Sequence, residues 1–466
     1  MTEITRRLAE FSLETTFDQF PDEVISGVKR SALDTLGVMV GGVAVDEAPR
    51  ILARYAATIA GSGKSTVIAQ GTCLTAPYAA LVNGTAGDVI GFSDVVAETM
   101  NHPSASICAG VWALAEEIGA TGKDVISAHA IGLEVAEKIG HGVYPVFHQR
   151  GWEPRGLQNT FGTAAACSRL LGLNLQQTMN ALGICGAEAS GMRAVKGTMS
   201  KAYIAGMAAR NGVEAALLAQ MSYTGPVNVF EARDGVLQTF GEGGDGACIV
   251  EKLGNPWEYI DPGVIYKAYP LCTCTHTGIE AALQLKNKHK FNVGDIQAIN
   301  CSTTAVVLDW LPFLMPENKF QAKYSMPFAV ALALLEGDIK IDQVTDEKAH
   351  RPDMVELMKK VTLDELPEYA EAGYTPSNAP YGCRVTITLN DGTVYQLRQD
   401  RSGWEPATPP SWEALVQKYR NCTAPVLSVD NIEESIRLFA NLEDVGDFRL
   451  LMRLALGNTG SLPEAI

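Results

Sequence analysis

Histidine is the side chain most easily poised for proton transfer near neutral pH, and the seven in this chain are unevenly surrounded. His102 closes the stretch GFSDVVAETMNHPSAS, which also holds Asp94, immediately before Pro103. A histidine at a helix start can exchange a proton with an anion held there. A structural loop histidine is the competing account. The segment YPVFHQRGWEPRG carries Tyr144, His148, Arg150, Glu153 and Arg155. Guanidinium forks of this kind bind carboxylates through two parallel hydrogen bonds, although a plain surface loop would look the same. Arg193, Lys196 and Lys201 form a cationic patch, with no acidic residue from Met192 to Arg210. That composition suits a polyanionic ligand, or a solvated loop. Lys267 opens KAYPLCTCTH, with Tyr269, Cys272, Cys274 and His276 close behind. A lysine of depressed pKa or a cysteine thiolate would serve as a base there. The spacing of Cys272, Cys274 and His276 matches no common zinc pattern and has no clear fourth ligand, so no metal is expected.

Other chemistries are excluded by pattern. Gly61-Ser62-Gly63-Lys64-Ser65-Thr66 imitates a phosphate loop, but Thr58 stands where its first glycine belongs. The order is also reversed, with a helical stretch (51–59) before the loop and a strand after it. Neither a nucleophile elbow, a zinc-protease helix nor a dinucleotide fingerprint occurs, and no cofactor is expected. With 37 basic and 53 acidic residues among 466, the net charge is −16, which argues against a nucleic-acid partner. The N-terminus has charges throughout and no apolar signal region. The most apolar stretch, 36–45, falls far short of the ~20 residues of a membrane span. The ten cysteines include no CxxC pair, so free thiols in a reducing, cytoplasmic compartment are expected.

The elements that must carry these groups are mostly helical. Apolar residues at three- and four-residue spacing predict helices over 31–40, 104–118, 123–139, 159–171, 175–187 and 199–221. Many are rich in Ala and Gly, which lets helix axes approach closely. After Tyr269 the pattern changes. Residues 297–304 predict a strand, 325–336 and 352–360 helices, and 382–397 a hairpin turning at Asn390-Asp391-Gly392. Helices return over 411–420 and 430–440. The expected fold is mostly α with an α+β domain. A large all-helical domain is built from both chain ends (1–265 and 401–466), with a smaller α+β domain (266–400) inserted.

The order of NGTAGDVIGFSD, NHPSAS, HQRGWEP with NTFGTAAA, KAYIAGMAARNGVEAALLA with YTGP, KAYPLCTCTH, AKYSMPFAVALALLEGD and GWEPATPPSWE resembles the MmgE/PrpD superfamily along nearly the whole chain. That resemblance implies a helical domain from both chain ends, a smaller α+β domain and a site between them. It also implies redox-cofactor-free chemistry on small polycarboxylates: dehydration of 2-methylcitrate, decarboxylation of cis-aconitate or epimerisation of iminodisuccinate. Asp94, His102, His148, Lys201, Lys267, Tyr269 and Pro270 match family motif positions. Ser93 replaces the first of two paired aspartates, Asp88 stands where histidine is usual, and Glu153 and Ile204 replace further histidines. Cys272 takes a position that is histidine in the decarboxylase.

Dehydration needs an acid for its leaving hydroxyl as well as a base, whereas epimerisation only removes and returns a Cα proton beside a stabilised carboxylate. The missing histidines therefore favour a cofactor-independent iminodisuccinate epimerase, an isomerase, as the member most similar to this chain. Lys267 and His102 are the first candidates for acid and base. Tyr144 and Lys201 are substitutes, and Asp94 would orient His102. Arg150, Arg155, Arg193, Lys196, His148, His276 and Cys272 would hold substrate carboxylates. The alternatives are a dehydratase or decarboxylase of a tricarboxylate, and a non-catalytic carboxylate-binding protein. A homodimer is expected from the prevalence of two-fold assemblies.

Overall fold

A computed structural model of the chain describes residues 3–244, 246–368 and 381–457. Its contacts divide into two compact units. The first comprises the chain up to Ala194, Ser200–Tyr266 and the chain from Pro410 onward; the second comprises Val195–Met199 and Lys267–Pro409.

Among the described residues, the first unit is built of helices and their connections, with one short antiparallel hairpin, Ser65–Val67 with Thr72–Leu74. Its centre is a set of packed helices: Ala76–Val89, Pro103–Ile118, Gly122–Val143, Pro154–Leu170 and Ser200–Gln220. Proline stands in the first turn of the helices that start at Ala76, Pro103 and Pro154, where a missing N–H costs nothing. Thr121 and Asn174 build capping boxes with Asp124 and Gln177, satisfying first-turn donors that have no helical partner. Small residues set the axis distances. A Cβ on Gly206 would stand 2.1 Å from the Leu81 carbonyl oxygen, and one on Gly84 2.9 Å from Gly206 Cα. The chain returns to this unit as Trp412–Thr423, which packs across Asp22–Val45.

The second unit carries a four-stranded sheet in the order Val361–Glu365, Ile296–Thr303, Cys383–Leu389, Val394–Gln399. The first pair is parallel and the others antiparallel. Cys383–Leu389 alternates buried and half-buried positions, as a sheet with one covered face requires. His276–His289 lies against this sheet and against Met326–Glu336, a helix apolar nearly all round and buried along most of its length. Ser325 caps the latter by accepting the Phe328 N–H at 3.2 Å. The chain is thus mostly α with an α+β portion. "All-α" is too strong, because this sheet and the small hairpin are both present.

Candidate active site

The helices Ala76–Val89 and Pro103–Ile118 are joined by the loop carrying Ser93, Asp94 and His102. The loop is held from several sides. Val96 and Asn101 exchange two backbone hydrogen bonds, at 3.0 and 3.2 Å. Glu137, buried on Gly122–Val143, accepts from Thr99, and from Asn101 Nδ2 at 2.8 Å. Burial raises the Glu137 pKa well above the carboxylate range. Asn101 in turn donates to Asn159 at 2.7 Å, and Asn159 donates to the His102 carbonyl at 3.0 Å.

Asp94 accepts from the Ser104 N–H at 3.2 Å and the Ser104 hydroxyl at 2.5 Å, and lies 3.4 Å from the Ser31 hydroxyl. It therefore caps the Pro103–Ile118 helix, where a carboxylate complements the helix dipole. The expectation that Asp94 orients His102 gives way to Ser93, whose hydroxyl lies 3.3 Å from His102 Nδ1. Burial is the main reason that the Asp94 pKa is pushed up to about 6, with the charge of Asp34 adding to it. Lys418 opposes that rise. It comes from the returning chain, pairs with Asp34 at 2.7 Å and donates to the Phe92 carbonyl at 3.1 Å.

Two buried cations meet on Asp88, in the last turn of Ala76–Val89. Lys201 Nζ lies 2.7 Å from its carboxylate and Arg155 Nε 3.3 Å away. Arg155 is also paired with Glu153, and the Ser93 hydroxyl reaches Asp88 at 3.4 Å. The Arg155 segment is pinned by the chain before Ser200: the Glu153 N–H donates to the Gly191 carbonyl and the Arg193 N–H to the Gly151 carbonyl. Gly156 permits this approach, since a Cβ there would stand 1.5 Å from the Ser190 carbonyl oxygen. His102, Lys201 and Arg155 thus gather around Ser93 and Asp88. The sequence marked Asp88 only as a departure from its family, because one aspartate in a run of small residues carries no other signal.

Other expected site residues in this unit have different partners. Arg150 is half-exposed and pairs at the surface with Glu242 at 2.5 Å. Arg193 donates to the His148 carbonyl at 3.4 Å. The rings of Tyr144 and His148 are 6.2 Å apart.

The cationic patch 193–201 is divided between the units, and Lys196 belongs to the second. Its ammonium lies 3.9 Å over the Trp310 ring, 5.3 Å from the Tyr324 ring, and donates to the Trp310 carbonyl at 3.3 Å. Such an arrangement holds a cation in place. Lys267 and His276 are buried in the same unit, and His276 meets the Tyr269 ring edge-on at 5.2 Å. Burial pushes the Tyr269 hydroxyl up to about 12. Cys272 has its thiol pulled down to about 6, first by the Cys274 thiol hydrogen-bonded to it and then by the charges of Lys267 and Lys196. Trp310 and Tyr324 were not singled out from sequence, and Cys274 was weighed there only as a metal ligand. Among the described residues, no group of three or more His, Cys, Asp or Glu side chains could hold a metal ion. No helix among them is long and apolar enough to cross a membrane.

The MmgE/PrpD N-terminal domain matches residues 6–247 and the MmgE/PrpD C-terminal domain residues 269–444. The cis-aconitate decarboxylase of Mus musculus is 28% identical over 454 residues, covering 94% of this chain and 90% of its own. That of Aspergillus terreus is 25% identical over 475 residues, covering 97% and 95%. The mitochondrial 2-methylcitrate dehydratase of Yarrowia lipolytica is 26% identical over 242 residues, half of this chain. These names overturn the expectation of an iminodisuccinate epimerase and of an isomerase, because decarboxylases and dehydratases are lyases. The physical error lay in counting lost histidines as lost proton donors. From Asp88, with its two gathered cations, to the Cys272 motif, this chain belongs to the MmgE/PrpD family.

Proposed function

We propose that this protein is a cofactor-independent lyase that decarboxylates a small tricarboxylate of the cis-aconitate type. The observation that carries the reading is the meeting of buried Arg155 and Lys201 on Asp88, beside His102. It occurs in a chain whose cis-aconitate decarboxylase relatives align along nearly their full length. Arg155 and Lys201 hold substrate carboxylates, and Asp88 keeps the two cations together when none is bound. His102 transfers the proton, with the Ser93 hydroxyl on Nδ1 selecting its tautomer. Asp94 acts through Ser104, by fixing the helix start that carries His102. Lys267, Cys272, Lys196 and His276 are a second group of ionisable residues, within the other unit.

Decarboxylation replaces a C–CO₂⁻ bond by a C–H bond, releasing CO₂ and consuming one proton. It therefore needs one acid, and cations that hold the carboxylates that stay. Dehydration of a 2-methylcitrate-type substrate is the second reading, favoured by the shorter match to the Yarrowia lipolytica dehydratase. The reading includes a homodimer in the cytoplasm. Ten free cysteines accord with a reducing compartment, and two-fold assemblies are the commonest oligomers.

The test is to incubate the purified chain with cis-aconitate and, separately, with 2-methylcitrate. Release of CO₂ together with an unsaturated dicarboxylate supports decarboxylation, and water loss with a new conjugated alkene supports dehydration. If the folded protein does neither, the lyase reading fails. Native mass measurement tests the dimer.

A further inference from the structure

Glu137 is a fully buried carboxyl on Gly122–Val143, and among the described residues no cation pairs with it. A charged carboxylate there would be costly, and burial leaves the group neutral. What it holds is one short turn. Val96 and Asn101 pair through two backbone hydrogen bonds, and the turn between them brings Met100 to φ 57°. A residue other than glycine in the left-handed region is strained and stays there only when its surroundings fix it. Here the fixing comes from both neighbours of Met100. One Glu137 oxygen takes the Thr99 hydroxyl, and the other takes Asn101 Nδ2 at 2.8 Å. The helix lies this close because Gly140 has no Cβ; one there would stand 2.7 Å from Thr99 Cγ2. Val95 is held separately, by two backbone hydrogen bonds with Ile265 at 2.9 and 2.8 Å. Glu137 therefore governs the part of the loop that leads into His102.

The second Nδ2 hydrogen of Asn101 goes to Asn159 Oδ1 at 2.7 Å. Asn159 spends its own Nδ2 hydrogens on the His102 carbonyl at 3.0 Å and the Ser106 hydroxyl at 3.2 Å. Every amide hydrogen of the two asparagines is thereby used, and both side chains are fully buried. We infer that Glu137 is a positioning residue for His102: by gripping Thr99 and Asn101 it keeps the Met100 turn closed and, through Asn101 and Asn159, sets where the His102 imidazole stands. Glu137 touches no reacting group. Its influence ends at the contact between the Ser93 hydroxyl and His102 Nδ1, 3.3 Å long, which a shift of the His102 backbone breaks. The effect on turnover rests on the lyase reading with His102 as proton carrier, whereas the placement of His102 does not.

The experiment compares the full-length wild type, Glu137→Gln and Glu137→Ala by steady-state kinetics on cis-aconitate and by imidazole NMR with labelled histidine, the His102 signal being assigned through His102→Asn. Glu137→Gln should keep kcat within about twofold, because an amide accepts from Asn101 through its oxygen and donates to the Thr99 hydroxyl through its nitrogen. Glu137→Ala should lower kcat about 10- to 100-fold, the cost of a misplaced catalytic group. KM should stay within about threefold, since Arg155 and Lys201 keep their places. The His102 signal should move in Glu137→Ala and hold in Glu137→Gln. The signal of His141, one turn along the same helix and 3.1 Å from Glu258, should hold in both and so report an intact helix. Three results overturn the inference: Glu137→Gln losing as much as Glu137→Ala, a His102 signal unmoved in Glu137→Ala, or a loss carried wholly by KM. Where Glu137→Ala fails to fold, Thr99→Val decides, because it removes a single hydroxyl and so one of the two grips. It should lower kcat at least about threefold with a moved His102 signal, and no change in either overturns the inference. If the His102 signal follows Glu137 as stated but the wild type turns over neither tricarboxylate, the lyase reading falls and the positioning role stands.

Discussion

Lys418 reaches the His102 loop from the far end of the sequence, and replacing it by Met tests whether that reach matters. Its side chain is 4% exposed and pairs at 2.7 Å with Asp34, which is fully buried. It also donates to the Phe92 carbonyl and lies 3.7 Å over the Phe92 ring. Methionine keeps much of the apolar stem but leaves the Asp34 carboxylate without this cation, in a region that also holds Asp94. Breaking a buried pair from one side costs about 3–5 kcal/mol. Unfolding entropy near 2.1 cal/mol/K per residue, over the about 300 residues of the first unit, gives about 0.6 kcal/mol per degree. The melting temperature should therefore fall by about 5–8 °C. Lys418→Met combined with Asp34→Asn removes both charges and should recover most of the loss, to within about 2 °C of wild type, since an absent pair leaves no orphan. Thermal melts of the four proteins of this cycle measure the coupling. A single-variant shift below about 2 °C, or a double variant no better than Lys418→Met, would refute the argument that this ion pair bears on the loop.

Three further outcomes follow from the same geometry. Asp94 has its pKa raised from 3.8 to about 6, so its contribution is fully present below about pH 4 and is lost as pH rises through about 6. Relative to Asp94→Asn, wild type should lose up to about 3 kcal/mol across that window, read from denaturant midpoints; a constant difference would count against it. Asp88→Asn leaves Arg155 and Lys201 without the anion that gathers them. A tricarboxylate should then raise the melting temperature of this variant more than that of wild type, although turnover falls at least tenfold; equal ligand shifts would contradict the role given to Asp88. Gly206→Ala forces a Cβ against the Leu81 carbonyl and should cost about 1–3 kcal/mol. Gly294→Ala meets nothing within 4 Å and should stay within about 1 kcal/mol of wild type in the same melts.

Elements with their own start and stop signals were legible in the sequence. The Asn390-Asp391-Gly392 turn predicted the hairpin now seen as Cys383–Leu389 and Val394–Gln399, and Gly392 sits at φ 86°, where glycine carries no steric cost. The apolar run after Ser325 predicted Met326–Glu336. Ala76–Val89 was not expected as a helix, because its Pro, Asn and Gly residues lower helix propensity. Gly84 is nonetheless what its crossing with Ser200–Gln220 requires, so tertiary packing overrides local preference. Asp22–Val45 began nine residues before its expected start, since its first turns are mostly polar and bury only Val24 and Val28 before Ser31. The His276–His289 helix was missed because its apolar face is short and interrupted by lysines. In the candidate site, residue types were readable and partners were not. Lys201 finds Asp88 from 113 residues away, and no spacing rule joins them.

The failure of the isomerase expectation has the same physical origin. A missing histidine was counted as a missing proton donor, which treats pKa as a property of residue type. It is a property of the surroundings. The Cys272 thiol, pulled to about 6 by Cys274 and two lysines, titrates in the range where an ordinary imidazole does. Exchanging a histidine for a cysteine there preserves a group able to gain and lose a proton near neutral pH. It also reverses the charge involved, from a cation that becomes neutral to a neutral group that becomes an anion. The neighbours must then be cationic rather than acidic, and Lys196 and Lys267 meet that requirement. A proton inventory compiled from sequence should therefore count local charge partners together with the titrating residue. By that count, the second unit keeps the capacity that the histidine tally recorded as lost.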